Sequence, residues 1–366
     1  MVGVYWPGVR ADLGRSLGDL GLVSLAYGLS RMSTALTGRR MVASFGLGHA
    51  FPIALTALMC ASLATAAAPD WPLFLVAIAA VGAVSGMLDS LGAAFITAIG
   101  DISSAGLIHG MYGFGATVGP VIVVVAPGWR WSAVAAAAAV LAALCFAVSV
   151  RDAWPDITPP DPVAVEAALP PPAVPRFTIA GSLGAFAALV ALEVTTGTWI
   201  FAYLTGHRAI GDETAAIGVS GFWAGLMVGR LVLARPVAAA LVERLGTVVL
   251  VVISLATLGS TTVLPPAATV AAVGLTGVAL GPLIPTLFAR TAQRVGNVMA
   301  ARMAGRQLLA TNVGAIGVPT LTGFLVDQFG PGAIMIVMLT TIGVFALPLL
   351  AILRRIAPIG PEHQPA

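Results

Sequence analysis

Long apolar runs separated by short polar turns set the layout of this chain. Eleven of them read as membrane-crossing helices, at 19–37, 46–67, 72–99, 103–126, 132–150, 178–203, 214–233, 247–264, 267–289, 300–326 and 331–353. About twenty apolar residues, rising roughly 1.5 Å each, cross a hydrocarbon core of about 30 Å. One polar stretch interrupts the series. Residues 151–177 are rich in Pro and carry Asp152, Asp156, Asp161 and Glu166, so they read as an extended linker rather than a helix. Residues 1–9 are too short to cross, but they fit the outer end of a further helix. The expectation is an all-α polytopic membrane protein of two pseudo-symmetric six-helix bundles, with the first helix largely missing and about eleven complete spans. Residues 1–150 would form the first bundle, 178–353 the second, and 354–366 a tail; the rest of the first span would lie upstream of Met1.

Composition sharpens this. The chain is 58% hydrophobic and 9% charged, with a mean hydropathy of +0.99, so lipid must be the solvent for most of its surface. The net charge of +3 comes from eighteen basic residues, all Arg, scattered singly between spans rather than gathered into a nucleic-acid patch. Arg10, Arg15, Arg130 and Arg208 fall on one side of the expected topology. Eleven others, from Arg39 to Arg355, fall on the linker side, which places linker and C-terminus in the cytoplasm of a cell-membrane protein. Cys60 and Cys145 sit inside apolar runs without metal-ligand spacing. The sequence contains no H-E-x-x-H, nucleophile elbow or P-loop, so no catalytic residue, metal or cofactor is expected.

The two sides of the linker repeat each other. Ala105-Gly106, Gly115-Ala116 and Pro120 recur as Ala304-Gly305, Gly314-Ala315 and Pro319, at an offset of 199. Gly21, Gly28 and Leu29 recur as Gly218, Gly225 and Leu226, at an offset of 197. Parallel repeats about an axis normal to the membrane put a solute site between the halves, near the midplane.

Charged residues inside these spans mark the candidate chemistry. An Asp or Arg at the centre of a helix costs about 2.5–3.5 kcal/mol on insertion scales, so it faces a wet cavity or a partner. Asp89, in GMLDSLGAAF, and Glu193, in LEVTTGTWIFAYL, are candidates for proton coupling, because burial raises a carboxyl pKa and a neighbouring Arg lowers it. Permanent ion pairing between helices is the alternative for both. Arg31, Arg230 and Arg306 lie toward the linker-side ends of their spans, where a long side chain can snorkel, pair or gate. His109 precedes Tyr112 and the pair Gly113 and Gly115; it could bind a hydroxylated solute, relay a proton or tie helices together. Trp199, Tyr203, Trp223 and Asn312 complete the solute-contact candidates, although Trp and Tyr also populate interfacial belts.

With these motifs in hand, the chain resembles the major facilitator superfamily, and within it the fucose permease branch. GMLDSLGAAF resembles the G-x-L-[ED] setting of that branch's span-four carboxylate, with Ala93 where an Asn usually follows. HGMYGFGATVGP, beginning at His109, resembles its span-five polar residue and G-x-G-A run. Glu193, Gly197 and Trp199 match E-x-x-x-G-x-aromatic, and Trp223 through Arg230 match W-x-G-L-x-x-G-R. Glu243-Arg244-Leu245-Gly246 resembles the core of the superfamily's cytoplasmic loop motif, a structural or gating element; its first-half copy, Ala43-Ser44-Phe45-Gly46, keeps only the glycine.

The resemblance implies rocking of two bundles around a central site. The favoured reading is proton-coupled symport of a small polar solute, a sugar being one candidate. The partners would be that solute, protons and the bilayer, with the protein acting as a monomer and no nucleic acid involved. A proton antiporter exporting drugs or metabolites is the first alternative, and a non-transporting membrane sensor or scaffold the second.

Overall fold

In the computed structural model the described residues are 2–34, 37–99, 113–123, 131–150, 175–233, 236–295 and 297–355. They contain helices and turns and no strand. Before the linker lie α1 (Val2–Asp12), α2 (Leu20–Thr34), α3 (Thr37–Ala66), α4 (Trp71–Ile99), α5 (Gly113–Val123) and α6 (Trp131–Ser149). After it come α7 (Arg176–Gly206), α8 (Asp212–Leu233), α9 (Pro236–Ser260), α10 (Pro266–Leu280), α11 (Leu283–Val295) and α12 (Asn297–Phe329). The last span is α13 (Ala333–Thr340), a π-helical turn (Thr341–Ala346) and α14 (Leu347–Arg355) in series. Most of the linker and the tail from residue 356 lie outside the described residues.

Eight helices among those described are long and apolar enough to cross a membrane. The count of eleven is looser than this for local reasons. Helix α2 is only fifteen residues long, and α5 and the apolar part of α9, Gly246–Ser260, are short. The run expected at 267–289 is divided between α10 and α11 at Gly281 and Pro282, where proline cannot donate to the helical ladder, yet it remains one of the eight as Pro266–Phe288.

Two glycines explain where helices turn. Gly46 inside α3 (φ 68°) and Gly246 inside α9 (φ 72°) hold left-handed backbone that L side chains rarely adopt. An added Cβ at Gly46 would meet no atom within 4 Å, so conformation and not space selects glycine there. This is the residue that survives in both copies of the loop motif.

Within each half, helices cross at backbone contact. A Cβ at Gly82 or Gly86 of α4 would overlap the carbonyls of Tyr27 and Arg31 of α2. Gly277 of α10 and Gly281 just after it stand in the same way on Phe222 and Leu226 of α8. Every member of this crossing is displaced by 195 residues (82 to 277, 27 to 222), so the structural register of span two against span eight is two residues away from the 197 that matching glycines suggested.

The halves meet along α2 and α12, which run antiparallel, and along α1 and α7. Gly18 and Gly21 lie against Gly323 and Thr320, and Gly28 lies against Ile316. Gly3 of α1 lies on the carbonyl of Thr198 of α7. One apolar core runs through this end of both halves, joining Val4, Trp6 and Val9 to Trp199, Ile200 and Val326. An aromatic cluster of Trp6, Trp71, Phe74 and Trp131 backs it, with neighbouring centroids 6.0, 5.9 and 5.4 Å apart. The seam is therefore tight at the α1–α2 end. Further along, Arg31 and Asn312 are half-exposed and Val313 is exposed, so it loosens toward the linker end.

Candidate functional site

The first charge pair lies where the seam loosens. Arg31 is one turn beyond Gly28 on α2, and Gly86 lets α4 settle on its backbone, which brings Asp89 within reach. Arg31 Nε and Nη2 both donate to Asp89 Oδ2, each at 2.7 Å. The side chains are 41% and 56% exposed, so the rest of the protein leaves both partners largely uncovered.

The second pair belongs to the other half and is more enclosed. Arg230 Nη2 of α8 donates to Glu193 Oε1 and Oε2 of α7 at 2.9 and 3.0 Å. One turn along α7 from Glu193, Gly197 faces the Trp223 indole so closely that a Cβ there would overlap the ring. Met227 touches Gly113 of α5, its side-chain atoms 3.1 Å from where a Cβ would stand, and so marks the face of α8 turned to the opposite half. Trp223, Met227 and Arg230 share that face at i, i+4 and i+7. Arg230 Nε is buried and has no hydrogen-bond partner among the described residues.

Each half thus presents an Arg–carboxylate pair to a seam between two helical bundles. The Major Facilitator Superfamily family model matches residues 1–308. The chain belongs to that superfamily.

Solved structures share this fold. The chain is similar to a bacterial homolog of the human lysosomal transporter Spinster in an inward-facing and occupied conformation. The TM-score is 0.67 at 15% identity, covering 98% of this chain and 94% of that one. It is also similar to FucP, a Major Facilitator Superfamily transporter in the outward conformation, with a TM-score of 0.59, 14% identity and coverage of 95% and 93%. No curated protein matches the chain. The chain is a multi-pass membrane protein of a transporter family.

The remaining candidate residues are dispersed. Trp199 is fully buried and donates from Nε1 to the Pro319 carbonyl at 3.1 Å, so it braces α7 against α12 and lines no open space. Tyr203 is also buried and stacks on His207 with centroids 5.4 Å apart, at the tight end. Asn312 is half-exposed on α12, one turn before Ile316, and its Nδ2 donates to the Leu308 carbonyl of its own helix at 3.0 Å. Arg306 is exposed on the same helix. His109 and Tyr112 lie outside the described residues, as do the side chains of Glu243 and Arg244 on α9. No group of three His, Cys, Asp or Glu among the described residues is placed to hold a metal ion. Sequence reasoning passed over the polar turn between α1 and α2 and its partner Asp327 at the end of α12, because both sit at span ends where polar residues are ordinary.

Proposed function

We propose that this protein is a proton-coupled secondary transporter carrying a small polar solute between its halves by alternating access. The observation that carries this reading is the unequal pair of Arg–carboxylate contacts, one per half, at a seam between apolar helices. Asp89 is left uncovered by the protein where the seam loosens, and a water-filled seam would carry a proton to it. Protonation removes the negative charge that Asp89 presents to Arg31 and weakens that contact across α2 and α4. Glu193 is held by two hydrogen bonds and fixes Arg230 in place. The Nε of Arg230, without a partner among the described residues, offers a donor to a solute oxygen; Trp223 offers an apolar plane suited to a sugar ring, and Asn312 of α12, in the same half, offers an amide. A site of this polarity fits a hydroxylated solute better than a lipophilic one. The Arg bias puts the linker end in the cytoplasm, so the tight end faces outward and the protein resides in the cell membrane.

The test begins with a melting-temperature screen of monosaccharides and polyols on the purified protein, since a ligand of the folded state raises that temperature. The stabilising compound is then followed in proteoliposomes under an imposed pH gradient. Symport predicts accumulation on the side to which protons flow. Accumulation against that direction indicates antiport, and a response confined to lipophilic compounds would overturn the polar-solute reading.

A further inference from the structure

Asp327 ends α12 with a carboxylate that the proposed cycle does not use. Its Oδ1 accepts the backbone N–H of Gly18, and its Oδ2 accepts the hydroxyl of Ser16, both at 2.8 Å. Both donors belong to the turn between α1 and α2, in the opposite half. That turn is built to present them. Ser16 and Asp19 cap each other reciprocally: Ser16 N–H donates to Asp19 Oδ2 at 3.0 Å, and Asp19 N–H donates to Ser16 Oγ at 3.2 Å. Arg15 holds Asp19 at 2.9 Å while its guanidinium lies 4.7 Å from the Trp71 ring centroid. Trp6 Nε1 donates to the Leu17 carbonyl at 3.1 Å, and Trp131 Nε1 donates to Asp12 at 2.8 Å, so both flanks of the turn are tied down. The Gly18 N–H belongs to the first turn leading into α2, where backbone donors lack partners in their own helix. The other half supplies its acceptor.

The same residues are in backbone contact. A Cβ on Gly18 would overlap the Gly323 carbonyl, a Cβ on Gly323 would overlap that of Gly18, and one on Gly21 would stand 2.7 Å from the Thr320 oxygen. The halves cannot part here while the carboxylate keeps both bonds. We infer that Asp327 is the latch of the tight end: its two bonds across the seam hold this end shut, and their exchange for water is a step in opening it. Hydrogen bonds to an ionised acceptor are stronger than neutral ones, which suits a contact made in one conformation and given up in the other. The inference rests on the reading that the halves rock, and the experiment separates the two.

A reporter cysteine replaces Thr320 in a background carrying Cys60→Ser and Cys145→Ser. Its reaction with a membrane-impermeant maleimide is timed from the tight-end side of oriented proteoliposomes. Asp327→Ala should raise the labelling rate about tenfold, the shift that roughly 1.4 kcal/mol produces. Asp327→Asn keeps one acceptor oxygen and should raise it less, and Ser16→Ala less again. Gly323→Ala wedges the seam and should raise the rate with the carboxylate in place. Asp70→Asn alters a carboxylate that accepts from its own turn, at Leu73 N–H, and should change nothing. An unchanged rate in Asp327→Ala beside a raised one in Gly323→Ala overturns the latch and leaves the rocking intact. Unchanged rates in both remove the rocking as well. If the Ala variant does not fold, Asp327→Asn and Ser16→Ala decide the matter by the same readout.

Discussion

Gly82 and Gly86 set α4 on the backbone of Tyr27 and Arg31; Gly277 and Gly281 set the α10 chain on that of Phe222 and Leu226. The crossing is repeated, but the charges are not. The same displacement of 195 carries Arg31 and Asp89 to Leu226 and Ile284, both apolar. The second half places its pair elsewhere, between α7 and α8, and encloses it more fully: Arg230 and Glu193 are 29% and 14% exposed, against 41% and 56% for Arg31 and Asp89. On the proposed reading, duplication supplies a frame that can rock, while the unmatched charges divide the labour. An exposed pair gives way to water at little cost, which suits a group that takes and releases a proton in each cycle. An enclosed pair resists separation and suits a group that keeps the shape of a site until a ligand arrives.

Removing one partner from each pair tests this contrast most severely. Arg230→Ala leaves Glu193 enclosed without its donors and should destabilise the protein by about 2–4 kcal/mol, somewhat less than for a wholly buried pair. Arg31→Ala should cost about 1 kcal/mol or less. Thermal unfolding in detergent reads both, and equal drops in melting temperature would erase the distinction. The shared crossing can be challenged next. Gly82→Ala and Gly277→Ala each force a Cβ onto a carbonyl and should cost about 1–3 kcal/mol apiece. A variant that melts like the parent at one site and not the other would show that the crossings differ. The smallest effect belongs to the turns. Gly46→Ala and Gly246→Ala place an L side chain at positive φ and should each cost about 1 kcal/mol, with closely matched unfolding curves.

Much of the helical frame was legible in the sequence, because lipid selects uninterrupted apolar runs. The survival of Gly46 in a loop motif that otherwise decayed was a signal with a conformational cause. The repeat was visible too, but its register was not. Gly21 and Gly218 match as letters, yet glycines are frequent here and the backbone pairs by contact rather than identity. Asp89, Arg31, Glu193 and Arg230 stood out one by one as costly in a bilayer. Which of them pair was hidden, since the partners lie 58 and 37 residues apart and only helix crossings bring them together. Trp199 and Tyr203 show the limit for aromatics: the side chain that could line a cavity can also fill a core. Asp327 left almost no trace, because its meaning comes from a turn more than three hundred residues away.

The central claim is that Asp89, the exposed carboxylate of the first half, couples solute movement to protons. Asp89→Asn keeps the shape of the side chain and abolishes its ionisation. In proteoliposomes loaded for both assays, pH-driven accumulation and solute counterflow should be followed on the same preparation. The account predicts that the Asn variant loses accumulation under a pH gradient and keeps a measurable share of counterflow exchange. Parental pH-driven accumulation in that variant would contradict it.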